Sequence, residues 1–141
     1  MTTLLDVNVL MALAWPNHVH HPAAARWFRQ HRDDGWATCP STEAGFVRVS
    51  ANPTISGGAV TPAAATELLR RLRELGQHRF WADTISFVTS PEVPRDHVHG
   101  HRQVTVAHLL AIALAQEGRL ATFDRGVLAL GAPDTVVLLR Q

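Results

Sequence analysis

The apolar residues of this chain fall into short runs that alternate with longer periodic stretches. Thr3-Leu4-Leu5, closed by Asp6, reads as a short buried strand, and Val9 to Trp15 reads as an apolar helix. Pro22 suits a first helical position, so a mixed Ala, Arg, Trp and Phe helix is predicted over 22–32. Trp36 to Cys39 reads as a second strand, after which Ser41 or Thr42 is expected to cap a helix running to about Ser50. Asn52-Pro53 through Gly57-Gly58 is expected to be a loop. Thr61-Pro62 opens a helix that runs to Leu75 and stops at Gly76, with Leu68, Leu69, Leu72 and Leu75 on one face. Ile85 to Val88 reads as a third strand, and 91–101 is rich in proline and histidine, with a short helix expected around Asp96. The strongest helix is predicted over 105–117, where Val106, Leu109, Leu110, Ala113 and Leu114 form a stripe and Gly118 serves as the stop. Leu120 to Phe123, ending at Asp124, is the fourth strand, and Val136 to Leu139 the fifth. Strands alternating with helices predict an α/β sandwich whose mainly parallel five-stranded sheet lies between helical layers, and no repeat or linker divides 1–141 into more than one domain.

Composition narrows the class. A hydrophobic content of 46% against 18% charged residues excludes a disordered chain. Cys39 is the single cysteine, so no intramolecular disulfide is expected; it fits a reducing cytoplasm, as a small buried residue. No window has the apolar length to span a bilayer, and the start lacks a basic segment and carries Asp6 within its first apolar run, which argues against a signal peptide. The net charge of +1 does not by itself announce a nucleic-acid binder. Arg26, Arg29 and Arg32, and less regularly Arg70, Arg71 and Arg73, form basic faces read first as solvated surface. The clusters His18, His20, His21 and His97, His99, His101 lack the helical spacing of a transition-metal site and read as loop histidines, able to touch phosphate when protonated. The four tryptophans are core candidates, with Trp15 also placed to line a partner groove.

Three acids stand just beyond the ends of strands: Asp6 after the first, Glu43 at the start of the helix after the second, and Asp124 after the fourth. The carboxyl ends of the strands of an open parallel sheet form the ligand crevice. Carboxylates gathered there repel one another unless some take up protons or a cation neutralises them, and hard oxygen ligands suit Mg²⁺ or Mn²⁺. Such an ion polarises a phosphodiester and activates a water without any Ser, Cys or His nucleophile. Each acid alone has another reading. Asp6 is also a turn residue, though an acid after Leu-Leu in a central strand is costly unless it is paired. Glu43 equally suits a first-turn acid complementing the helix dipole, and Asp124 equally suits a turn at Asp-Arg-Gly. A dehalogenase-type phosphatase would want a second acid two residues after the first, where this chain has Asn8, and a receiver domain would want an acidic pair near its start, which is absent.

The segments 4–10 (LLDVNVL), 41–43 (STE), 104–111 (VTVAHLLA) and 121–126 (ATFDRG) together resemble, in order, the motifs of the PIN-domain VapC toxins of bacterial VapBC toxin–antitoxin pairs, over nearly the whole chain. The resemblance implies a PIN-like three-layer fold, Mg²⁺- or Mn²⁺-dependent endoribonuclease activity on tRNA or rRNA, a homodimer, and inhibition by a VapB-type antitoxin. It also implies that Asp6, Glu43 and Asp124 are the catalytic metal-site acids, supported by Asn8 and Thr122. One position departs from the pattern: where the family has a metal-binding aspartate, this chain has Val106. Valine offers no ligand, so the expectation is an impaired nuclease or, alternatively, a catalytically silent PIN-fold protein that only binds its antitoxin.

Overall fold

A computed structural model describes residues 1–140. Five strands, β1 (Thr3–Leu5), β2 (Trp36–Thr38), β3 (His78–Phe80), β4 (Arg119–Thr122) and β5 (Val136–Leu138), form one sheet in the order β3-β2-β1-β4-β5, with every pair parallel. Parallel neighbours need crossover connections, and α1 (Val7–Ala14), α2 (His21–His31), α3 (Pro40–Ser50), α4 (Pro53–Ser56), α5 (Pro62–Leu72) and α6 (Val104–Ala115) supply all but the link from β4 to β5, which runs through 3-10 turns.

Successive strand residues point to opposite faces, and this splits the apolar side chains into two cores. Leu4, Ala37 and Leu120 face a core built on α6 with Trp81, Val127 and Leu130. Leu5, Trp36 and Ala121 face the other, built from Val9 and Leu10 of α1, Phe28 of α2, Phe46 of α3 and Leu69 of α5. A sheet covered on both faces has no reason to alternate apolar with polar residues. That is why β1 reads as Thr-Leu-Leu, buried throughout.

The structure corrects several expectations. The third strand is His78–Phe80, not Ile85–Val88. β3 is a polar, largely exposed edge strand that hydrogen-bonds only to β2, so it carries no apolar signal. Ile85 and Phe87 instead pack from a loop onto the α6 core, which accounts for their apolar character. The cap of α3 is Cys39, because Pro40 takes the first helical position and Thr42 reaches back to the Cys39 N–H at 2.9 Å. The segment expected to be a loop after Asn52 contains the single helical turn α4, capped by the Asn52 side chain. Leu75 lies beyond α5 and is 41% exposed. At the end of α6, Glu117 takes the left-handed conformation (φ 56°) expected of glycine. Gly118 answers a different need: a Cβ there would come within 2.5 Å of the Thr2 carbonyl oxygen.

Candidate active site

The strand order fixes where a site can form. Sequence-adjacent strands run outward from β1 through β2 to β3, and the chain then returns to the other side of β1 as β4 and β5. The β1/β4 junction is therefore the topological switch point, where the connections leave in opposite directions and open a crevice at the carboxyl ends. Asp6 follows β1 directly and Asp124 lies two residues beyond β4. Both line one cleft of about 450 Å³ with Asn8, Thr105, Val106 and Arg102.

Asp6 is built in from several sides. Its backbone N–H donates to the Ala121 carbonyl at 3.0 Å, tying the end of β1 to β4. Its Oδ1 caps α1 by accepting from the Val7 N–H at 2.7 Å, and its Oδ2 accepts from the Thr122 hydroxyl at 2.7 Å. The Thr122 hydroxyl is fully used: its proton goes to Asp6, while its oxygen accepts from the Asp124 N–H at 3.0 Å and the Asn8 amide at 3.4 Å. Asn8 returns from α1 to accept the Phe123 N–H at 3.3 Å. Asp124 caps the short 3-10 turn Arg125–Leu130, its Oδ1 accepting the Gly126 N–H at 2.8 Å. One threonine hydroxyl thus sets the spacing of both acids and of Asn8.

Burial holds the Asp6 carboxyl above its ordinary range; the bonds from Thr122 and Val7 oppose that rise, and the nearby Asp124 adds to it. No arginine pairs with either carboxylate among the described residues.

Glu43 is held elsewhere. Its Oε2 accepts from the Thr38 hydroxyl at 2.7 Å and from Arg73 at 3.0 Å, on the β2 side of the sheet. Because the Thr38 proton goes to Glu43, the His78 Nε2 at 2.8 Å donates to the Thr38 oxygen. Burial and the adjacent Arg73 push the His78 pKa down to about 4. Val106, in the first turn of α6, is 3% exposed and presents an apolar wall to the cleft. Among the described residues no three His, Cys, Asp or Glu side chains are grouped to hold a metal. The donor set in the cleft is two carboxylates with room beside them. That fits one hard cation completing its shell with water or substrate oxygens, and fits a closed, soft-metal cage poorly. His18 and Arg102 also line this cleft. Sequence reasoning leaves Arg102 out and places His18 only in a loop cluster, because neither belongs to a motif and both arrive by loop packing.

A parallel α/β sandwich with its acids at the β1/β4 switch point has the architecture of a PIN domain. No protein-family model matches the chain. Known proteins do: over 124 residues it is 52% identical to Ribonuclease VapC39 of Mycobacterium tuberculosis, covering 88% of this chain and 89% of the relative. It is 52% identical over 127 residues to Ribonuclease VapC38 of the same organism, covering 90% and 88%. With Ribonuclease VapC44, also of that organism, it shares 41% identity over 133 residues, covering 94% and 93%. The chain belongs to the VapC family.

Proposed function

We propose that this chain is the toxin of a type II toxin–antitoxin pair: a cytoplasmic endoribonuclease that uses Mg²⁺ or Mn²⁺ at Asp6 and Asp124, and whose catalysis Val106 weakens. The observation that carries the reading is the pair Asp6 and Asp124 in one cleft at the switch point, with Val106 on its wall. Similarity to proteins named ribonucleases, at 41–52% identity, supports the reaction class. The substrate on this reading is tRNA or rRNA, and the partners are a VapB-type antitoxin and a second copy of the chain.

Asp6 and Asp124 would hold the ion. When bound, it supplies charge neutralisation at the phosphate and a water of lowered pKa. Thr122 holds the Asp6 carboxylate and the Asp124 backbone, and Asn8 braces Thr122, so little reorganisation is needed when substrate enters. Arg102 supplies a positive group at the rim for the phosphate backbone. Val106 removes one oxygen ligand and one negative charge from the wall. Glu43 adds a further acid only when its contacts with Arg73 and Thr38 open.

A loss of about 3 kcal/mol of transition-state stabilisation slows cleavage on the order of a hundredfold. The test compares this chain with Val106→Asp on structured RNA in Mg²⁺ or Mn²⁺. The variant is expected to cleave about a hundredfold faster. Equal and substantial cleavage would refute the impairment, and no cleavage by either would refute the nuclease reading. The apolar wall at 3% exposure also favours a second reading, a silent protein that only binds its antitoxin. That reading predicts undiminished antitoxin binding by a chain with no detectable cleavage.

A further inference from the structure

Beside the acid cleft lies a second cavity, of about 390 Å³, with Trp15 and Val60 on its apolar side and Asn17 among its polar lining. Met11, His18 and Ile55 line both spaces, so the two adjoin across a shared wall. Trp15 is fixed in orientation: its indole N–H donates to the Ser50 hydroxyl at 3.1 Å, and that hydroxyl, buried, donates to the Met11 sulfur at 3.2 Å. The Asn17 amide makes no hydrogen bond among the described residues. The His20 N–H donates to His18 Nδ1 at 3.0 Å, which places the proton of the neutral ring on Nε2 as an outward donor. Burial, with His20 and His21 nearby, lowers the His18 pKa and favours that neutral form.

We propose that this cavity is a nucleobase subsite: an unpaired base of single-stranded RNA stacks on Trp15 and meets the Asn17 amide and His18 Nε2–H, while its neighbouring phosphate lies over Asp6 and Asp124. The proposal rests on the ribonuclease reading. An aromatic side chain held in place beside hydrogen-bonding groups suits a flat base with polar edges, which is how single-stranded RNA is held. An aliphatic peptide side chain would make no use of the polar groups of Asn17 and His18. Continuity with the acid cleft through Met11, His18 and Ile55 lets a base here and a phosphate there belong to one strand.

The experiment measures binding of two fluorescent 12-nucleotide strands, oligo(rA) and the same ribose-phosphate chain without bases, with Ca²⁺ in place of Mg²⁺. The parent chain is expected to prefer the base-bearing strand on the order of tenfold. Trp15→Ala should erase that preference and Trp15→Phe should keep most of it. Ile55→Ser, at a rim position 60% exposed, should reduce it severalfold and keeps the test sound if Trp15→Ala fails to fold. A preference unchanged in Trp15→Ala and Ile55→Ser overturns the subsite and leaves the ribonuclease reading standing. No binding to either strand by any form overturns both. If Trp15→Ala keeps its RNA preference but no longer co-purifies with its co-expressed antitoxin, the cavity is a protein seat and the proposal fails.

Discussion

Thr122 carries more of the site than its size suggests, because one hydroxyl serves Asp6, Asp124 and Asn8 at once. Thr122→Val keeps the shape and removes that hydroxyl, leaving a buried carboxylate short of a donor. Unfolding by denaturant should show a loss of about 2 kcal/mol. The Asp6 pKa is raised, chiefly by burial. Its stabilising contribution is therefore complete below its unfolded pKa and lost as pH rises through the folded one. His78 works in the other direction. Its folded pKa is depressed from 6.5 to about 4, so the unfolded chain takes up the proton first and stability falls as pH drops across that interval. His78→Gln should flatten this acid limb of a Tm-against-pH curve; an unchanged slope would show that His78 is not its source. At this scale Asp6 and Asp124 are legible, because strand ends mark them. The Glu43–Arg73 pair is not, because thirty residues separate its members and only the packing of α3 against α5 joins them.

Helices position the acids as much as strands do. α1 begins at the Asp6 cap, and its Val7 rests against Gly45 of α3, where a Cβ would sit 2.7 Å from Val7 Cγ2. Gly45→Ala must push α1 and α3 apart. It should cost about 1–3 kcal/mol, read as a drop in Tm, and should lower the activity of the Val106→Asp variant by displacing the Asp6 cap. A Tm equal to the parent's would show that α1 yields without strain. The long helices and buried strands are legible because apolar periodicity is a statement about burial, and α6 is buried nearly all round. β3 is not, because an exposed edge strand of His, Arg and Phe has no burial pattern to display, while the apolar run at 85–88 is buried as a loop. The start of α3 escapes the same local logic: Ser41 and Thr42 are better caps by type than Cys39, but Pro40 sets the first turn.

For the whole molecule, α/β class follows from alternation of elements, but the strand order β3-β2-β1-β4-β5 does not, because no periodicity records which strands are neighbours. That order opens the crevice at the β1/β4 junction and places Glu43, after β2, on the other side of β1. Coupling between site and fold gives a further expectation. Val106→Asp sets a charge into an apolar core cluster beside Asp6 and Asp124, so the metal-free variant should melt below the parent chain. Saturating Mn²⁺ should then raise its Tm more than the parent's, since a ligand at about a hundred times its Kd contributes about 2.7 kcal/mol. Equal shifts would place the ion outside the cleft. The most direct measurement is Mn²⁺ anomalous difference density in crystals of Val106→Asp. A peak is expected between the Asp6 and Asp124 carboxylates, weaker or absent in the parent chain. A peak at Glu43 or at the histidine clusters, with none in the cleft, would contradict a metal centre at the β1/β4 junction.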